Sequence, residues 1–86
     1  MSNFDLLIRC KNEMKDLPSV VQSINDQSVV PEKIVFVDSG STDGSRQFAL
    51  ENGYDVRDYH SDNFNYSASL NIGMRACTSK FVVILS

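Results

Sequence analysis

Apolar residues change their spacing several times along the chain, and each change marks an element. Phe4 to Ile8 is apolar apart from Asp5, the pattern of a buried strand. The run gives way to the polar stretch Arg9-Cys10-Lys11-Asn12-Glu13. Leu17, Val20, Val21 and Ile24 then recur at helical spacing, with Asp16 placed as a cap and Pro18 tolerated in the first turn. Asp26-Gln27-Ser28 and Pro31 close that helix. Lys33-Ile34-Val35-Phe36-Val37 is apolar on both faces after its lysine, as in a strand at the middle of a parallel sheet.

The second half repeats the alternation. Asp38-Ser39-Gly40-Ser41-Thr42-Asp43-Gly44-Ser45 is a dense turn and cap cluster. It predicts a helix capped by Ser41 or Thr42, with Phe48 and Ala49 on its inner face and Asn52-Gly53 as its C-terminal cap. Tyr54 to Tyr59 alternates like a strand near a sheet edge. After the aromatic-studded polar loop Asp62-Asn63-Phe64-Asn65-Tyr66-Ser67, a third helix is expected to run through Leu70, Met74 and Cys77. Lys80 opens a last strand, Phe81 to Leu85, apolar on both faces. Strands alternating with helices require parallel pairing through right-handed crossovers, in an α/β fold with helices on both faces of one sheet. Ligands of such sheets bind beyond the carboxyl ends of the strands, where the loops after the first two strands should meet.

Composition narrows the picture. A chain of 86 residues, 42% hydrophobic, is one small domain with a modest core. A formal charge of −3 gives no electrostatic reason to hold a nucleic-acid backbone. No apolar run approaches the ~20 residues of a membrane span, and the opening Met1-Ser2-Asn3-Phe4-Asp5 has no signal-peptide character. A cytoplasmic protein is therefore expected. Cys10 and Cys77 lie far apart and read as reduced, mostly buried thiols, while His60 alone cannot complete a metal set and reads as surface. The apolar strand before Ser86 has nothing after it to cover it, so the chain reads as the front of a longer protein or as a chain that self-pairs through the Phe81–Leu85 edge.

Three common site motifs are absent: the P-loop, the dinucleotide glycine fingerprint and the GxSxG elbow. The positive signal is the run from Val37 to Ser45. A carboxylate at the tip of a buried strand can accept a base N–H or a sugar hydroxyl, and the two glycines let the backbone turn close to a ligand. On the residues alone, an ordinary strand-to-helix turn with a good cap is an equal reading. Asp43 and Asp62 read as a cap or loop carboxylates, not as metal ligands.

Arg9-Cys10-Lys11-Asn12-Glu13, the Asp38–Ser45 turn, and Phe64-Asn65-Tyr66-Ser67 leading to Leu70-Asn71-Ile72-Gly73 follow one another in an order that resembles the amino-terminal half of a family 2 glycosyltransferase of GT-A fold. The resemblance covers nearly the whole chain. It implies a three-layer Rossmann-like half domain over residues 1–86, its four mostly parallel strands in spatial order 3-2-1-4. It implies transfer of a sugar from a nucleotide-diphosphate donor to an acceptor hydroxyl, with Asp38 recognising the base. Arg9, Lys11, Asn12, Glu13, Ser39, Ser41 and Asn65 join it as nucleotide-sugar-binding candidates, and Asn71 braces the loops. Many relatives carry Pro-x-Tyr-Asn where Arg9-Cys10-Lys11-Asn12 stands, so the resemblance does not carry an aromatic stack on the base over to this segment. The family's divalent metal (Mg or Mn), its Asp-x-Asp-type ligands and its catalytic base would lie beyond Leu85-Ser86. No catalytic or metal residue is therefore assigned in this chain, which alone should be inactive. The full-length protein would work in the cytoplasm or at the inner face of the membrane. The alternative is a stand-alone, non-catalytic nucleotide-binding or dimerisation module.

Overall fold

The computed structural model describes residues 4–27, 30–59 and 66–85. Phe4–Cys10 forms β1, Leu17–Asn25 α1, Lys33–Asp38 β2, Ser45–Glu51 α2, Asp55–Asp58 β3, Tyr66–Ala76 α3 and Phe81–Leu85 β4. The strands make one sheet in the order β3-β2-β1-β4, and all three pairings are parallel. The expected strand order and alternation are both present.

Sheet residues alternate between two cores. Leu6, Ile8, Cys10 and Phe36 face α1 and α2, where they meet Leu17, Val21 and Ala49. Leu7, Val35 and Val37 face α3 and meet Ala76. The result is a three-layer α/β/α arrangement with β1 and β2 at its centre. Phe36, Leu7, Val35 and Val37 are wholly buried there. Truncating Phe36 to alanine should cost about 3–5 kcal/mol.

Several boundaries differ from the sequence reading, each for a local reason. β1 does not stop before Arg9: Arg9 and Cys10 stay in the ladder opposite Val37 and Asp38. β3 is trimmed to Asp55–Asp58, leaving Tyr54 and Tyr59 outside it. Asp16 does occupy the α1 N-cap, although its side chain makes no capping bond. α2 is capped by neither Ser41 nor Thr42, because it begins only at Ser45 behind a left-handed Gly44. Asp43 serves that end instead, its Oδ1 accepting from the Ser45 amide at 3.0 Å and the Ser45 hydroxyl at 2.6 Å. The other end of α2 is as expected. Gly53, at φ 78°, donates to the Leu50 carbonyl and Tyr54 to that of Ala49, closing the helix in a Schellman turn.

α3 departs at one residue and at its end. Met74 is 41% exposed and Cys77 falls beyond the helix, while Leu70 and Cys77 both pack against the core. The buried positions are Ser69, Gly73 and Ala76, small residues that let the helix lie close on the sheet. A Cβ on Gly73 would stand 2.9 Å from Val37 Cγ2. β4 lies at the sheet edge, and Phe81, Val83, Ile84 and Leu85 are all exposed.

At the amino end of the sheet, buried Asp5 ties down the turn into β4. Its carboxylate accepts from the Thr78 amide at 2.7 Å, the Ser79 amide at 3.1 Å and the Ser79 hydroxyl at 2.6 Å. Burial pushes its pKa up, but the bonds from Ser79 and Thr78 and the charge of Lys33 outweigh this and hold it below the usual carboxylate value. Lys33 Nζ in turn donates to the Ala76 carbonyl at 2.7 Å and pairs with Asp55 at 3.2 Å. Both cysteines are free, Cys10 buried and Cys77 half-buried.

Candidate nucleotide-binding site

At the carboxyl end of β2, Asp38 is only 1% exposed. Its Oδ2 accepts from the amides of Gly40 at 3.2 Å and Ser41 at 2.9 Å, so the side chain is tied to the turn it starts. Its main-chain carbonyl accepts from the Tyr59 amide at 2.8 Å, which extends the ladder past β3. Oδ1 is buried and has no hydrogen-bond partner among the described residues. A buried carboxylate oxygen without a donor carries a desolvation cost that an incoming N–H or O–H removes.

The loop after β1 is stitched to the turn after β2. Asn12 N donates to Ser41 Oγ at 2.9 Å, and Asn12 Oδ1 accepts from the Thr42 amide at 2.7 Å. Next along the chain, Glu13 N donates to Ser45 Oγ at 3.2 Å and Met14 N to Asp43 Oδ2 at 2.9 Å. Asp43 thus bonds both the α2 terminus and the first loop, and the Ser45 hydroxyl holds its carboxyl below the usual range. The Ser39 amide closes the seam on the Cys10 carbonyl at 3.0 Å.

The candidate residues divide among these features. Asp38, Ser39, Ser41 and Asn12 meet at the seam. Arg9 and Glu13 line a neighbouring groove of about 280 Å³ between β1, the start of α1 and Leu85, which Asp38 does not line. The groove shares Cys10 with the seam, since Cys10 stands opposite Asp38 in the ladder. Burial, with the Asp38 charge behind it, pushes the Cys10 thiol above its ordinary pKa despite hydrogen bonds from Glu13, Ser45 and Ser41. This is no environment for a thiolate nucleophile. Lys11 is exposed, as is Asn71 on α3. Asn65, like His60 and Asp62, lies outside the described residues, as does the Tyr66 side chain. Sequence reasoning missed the bonding roles of Asp43 and Ser45 across the seam, because their partners lie 29 and 32 positions away.

Among the described residues no group of three His, Cys, Asp or Glu side chains could hold a metal ion. None of their helices is long and apolar enough to cross a membrane.

The model of glycosyl transferase family 2 matches residues 5–86, nearly the entire chain. The chain belongs to that family. Solved structures of glucosyl-3-phosphoglycerate synthase from Mycobacterium tuberculosis share its fold. One, in complex with Mn2+, UDP and glucosyl-3-phosphoglycerate, superposes with a TM-score of 0.77 at 21% identity, covering 98% of this chain and 33% of the other. A second, in complex with Mn2+, UDP and phosphoglyceric acid, gives a TM-score of 0.78 at 21% identity over 98% and 32% of the two chains. This family 2 chain therefore spans about a third of the length of those synthases. No curated protein matches it. The GT-A arrangement and the strand order 3-2-1-4 expected from the motifs are the ones found.

Proposed function

We propose that residues 1–86 form the nucleotide-binding half of a glycosyltransferase domain that moves a sugar from a nucleoside diphosphate donor to an acceptor hydroxyl. The observation that carries this reading is the Asp38 carboxylate: Oδ2 is committed to the Gly40 and Ser41 amides, while buried Oδ1 has no partner among the described residues. A fixed, charged acceptor at the end of a central strand suits a base N–H or a ribose hydroxyl. Ser39 and the seam around Asn12 and Ser41 flank that acceptor. Arg9 and Glu13 border the adjoining groove, and exposed Lys11 is taken as the phosphate contact. Asn65, outside the described residues, is the remaining candidate from the sequence. The matched family and the UDP in the related synthases support the reading.

The described residues provide no metal set, so no step is drawn through a divalent ion in this chain. The Mg or Mn expected of the complete enzyme takes its ligands from elsewhere, as does the base that deprotonates the acceptor. The related synthases contain Mn2+. The chain's own part is to bind and orient the nucleotide, and alone it transfers no sugar. Amide-resolved NMR during titration with uridine, thymidine and guanosine diphosphates tests this. Shifts concentrated at Ser39, Gly40, Ser41 and the Lys11–Glu13 loop are expected for at least one of them. Shifts elsewhere only, or none, would overturn the reading.

A further inference from the structure

We infer that Asn12 is a positioning residue, which fixes the Asp38 carboxylate through the Ser41–Thr42 turn and so sets how tightly that carboxylate holds its ligand. The inference rests on the nucleotide-binding reading above. Asn12 is the one non-glycine residue with positive φ among the described residues, at 54°. Side chains seldom adopt that region, and asparagine does so at less cost than most. Held there, Asn12 engages the second turn twice, its amide donating to Ser41 Oγ and its Oδ1 accepting from the Thr42 amide. Ser41 passes the constraint on, because its own amide donates to Asp38 Oδ2.

The relay runs from the Asn12 side chain through the Thr42 amide to the adjoining Ser41 amide and so to Asp38, with the Asn12 amide bond to Ser41 Oγ as a second tie. With the Asn12 Oδ1–Thr42 bond cut, the turn keeps only that second tie, so residues 40–42 can pivot, the donors on Asp38 Oδ2 move, and Asp38 Oδ1 is no longer held at one place. Asn12 is exposed, so this role is separable from core packing. Glycine occupies the same backbone region without strain. Asn12→Gly therefore removes the side-chain bond and keeps the local conformation accessible.

The test is a double-variant cycle on the full chain, titrated calorimetrically with whichever of uridine, thymidine and guanosine diphosphate it binds tightest. Asn12→Gly should bind about fivefold more weakly, as for one lost hydrogen bond, while keeping a cooperative unfolding transition. In the Asp38→Asn background the same change should have no further effect, because it acts through that carboxylate. Ser41→Ala removes the second tie between the loop and the turn, the acceptor of the Asn12 amide, and should behave alike. The carboxyl 13C resonance of Asp38 supplies a readout that needs no ligand, and it should shift in Asn12→Gly. An unmoved resonance, unchanged affinity, or a loss that adds in full to that of Asp38→Asn would overturn the relay. If Asp38→Asn weakens binding and Asn12→Gly does not, only the relay falls. A chain that binds none of the three nucleotides removes the nucleotide reading and the relay with it.

Discussion

Asp5 and Asp38 are both buried carboxylates, one near the start of β1 and the other at the end of the adjacent β2, and their hydrogen bonding differs. Both oxygens of Asp5 are occupied by Thr78 and Ser79, so its role is to hold the turn into β4. Asp5→Ala should cost about 3 kcal/mol, since it strands buried donors and removes charge-assisted bonds. Urea unfolding checks this, and a loss below about 0.5 kcal/mol would contradict the clamp. The pH dependence follows from the lowered pKa of Asp5 in the fold. Its contribution is complete above the unfolded-state value of about 3.9 and is lost as pH falls through the lower folded-state value. Stability should therefore drop between pH 5 and acid more steeply in the parent than in Asp5→Asn, by roughly the share this one carboxylate supplies. Asp38 was readable in the sequence because its neighbours in the turn are local. Asp5 read only as a polar interruption, since its partners lie 73 and 74 positions away. The Asn12 relay was hidden for the same reason, at a separation of 29.

At the scale of elements, every strand and helix was visible as a change of hydrophobic period, but faces and ends were less so. α3 shows why. The helix was expected to run through Leu70, Met74 and Cys77, and Leu70 and Cys77 do pack on the core, but Met74 points out and close packing on the sheet falls to the small residues Ser69, Gly73 and Ala76. Hydrophobicity alone does not show where a helix must come near a sheet. Gly73→Val should destabilise the fold by about 1–3 kcal/mol or more through overpacking against Leu7 and Val37. Met74→Ala, on the exposed side, should stay within about 0.5 kcal/mol of the parent. Equal costs for the two in thermal unfolding would contradict this placement. At α2 the cap fell to Asp43, which also read as a cap, and not to Ser41 or Thr42: several residues from Ser39 to Ser45 can cap a helix, and only the tertiary seam with the first loop decides among them.

Over the whole molecule, alternation required a parallel sheet, whereas the order β3-β2-β1-β4 came from the motif resemblance, because periodicity carries no information on which strand neighbours which. The same order leaves β4 at an edge with most of its side chains exposed. Sedimentation of the 86-residue chain should then show concentration-dependent association, relieved in Val83→Lys; a strict monomer at high concentration would contradict that expectation. The order also brings the ends of β1 and β2 side by side, so that Asp38 and the Arg9–Glu13 segment share one end of the sheet. That juxtaposition is the basis of the nucleotide-binding reading, and calorimetric titration of the parent and Asp38→Asn with uridine, thymidine and guanosine diphosphates tests it most directly. The account predicts that the parent binds at least one of them and that Asp38→Asn loses about 1–3 kcal/mol of that affinity. Equal affinities in the two proteins, or no binding by the parent, would contradict it.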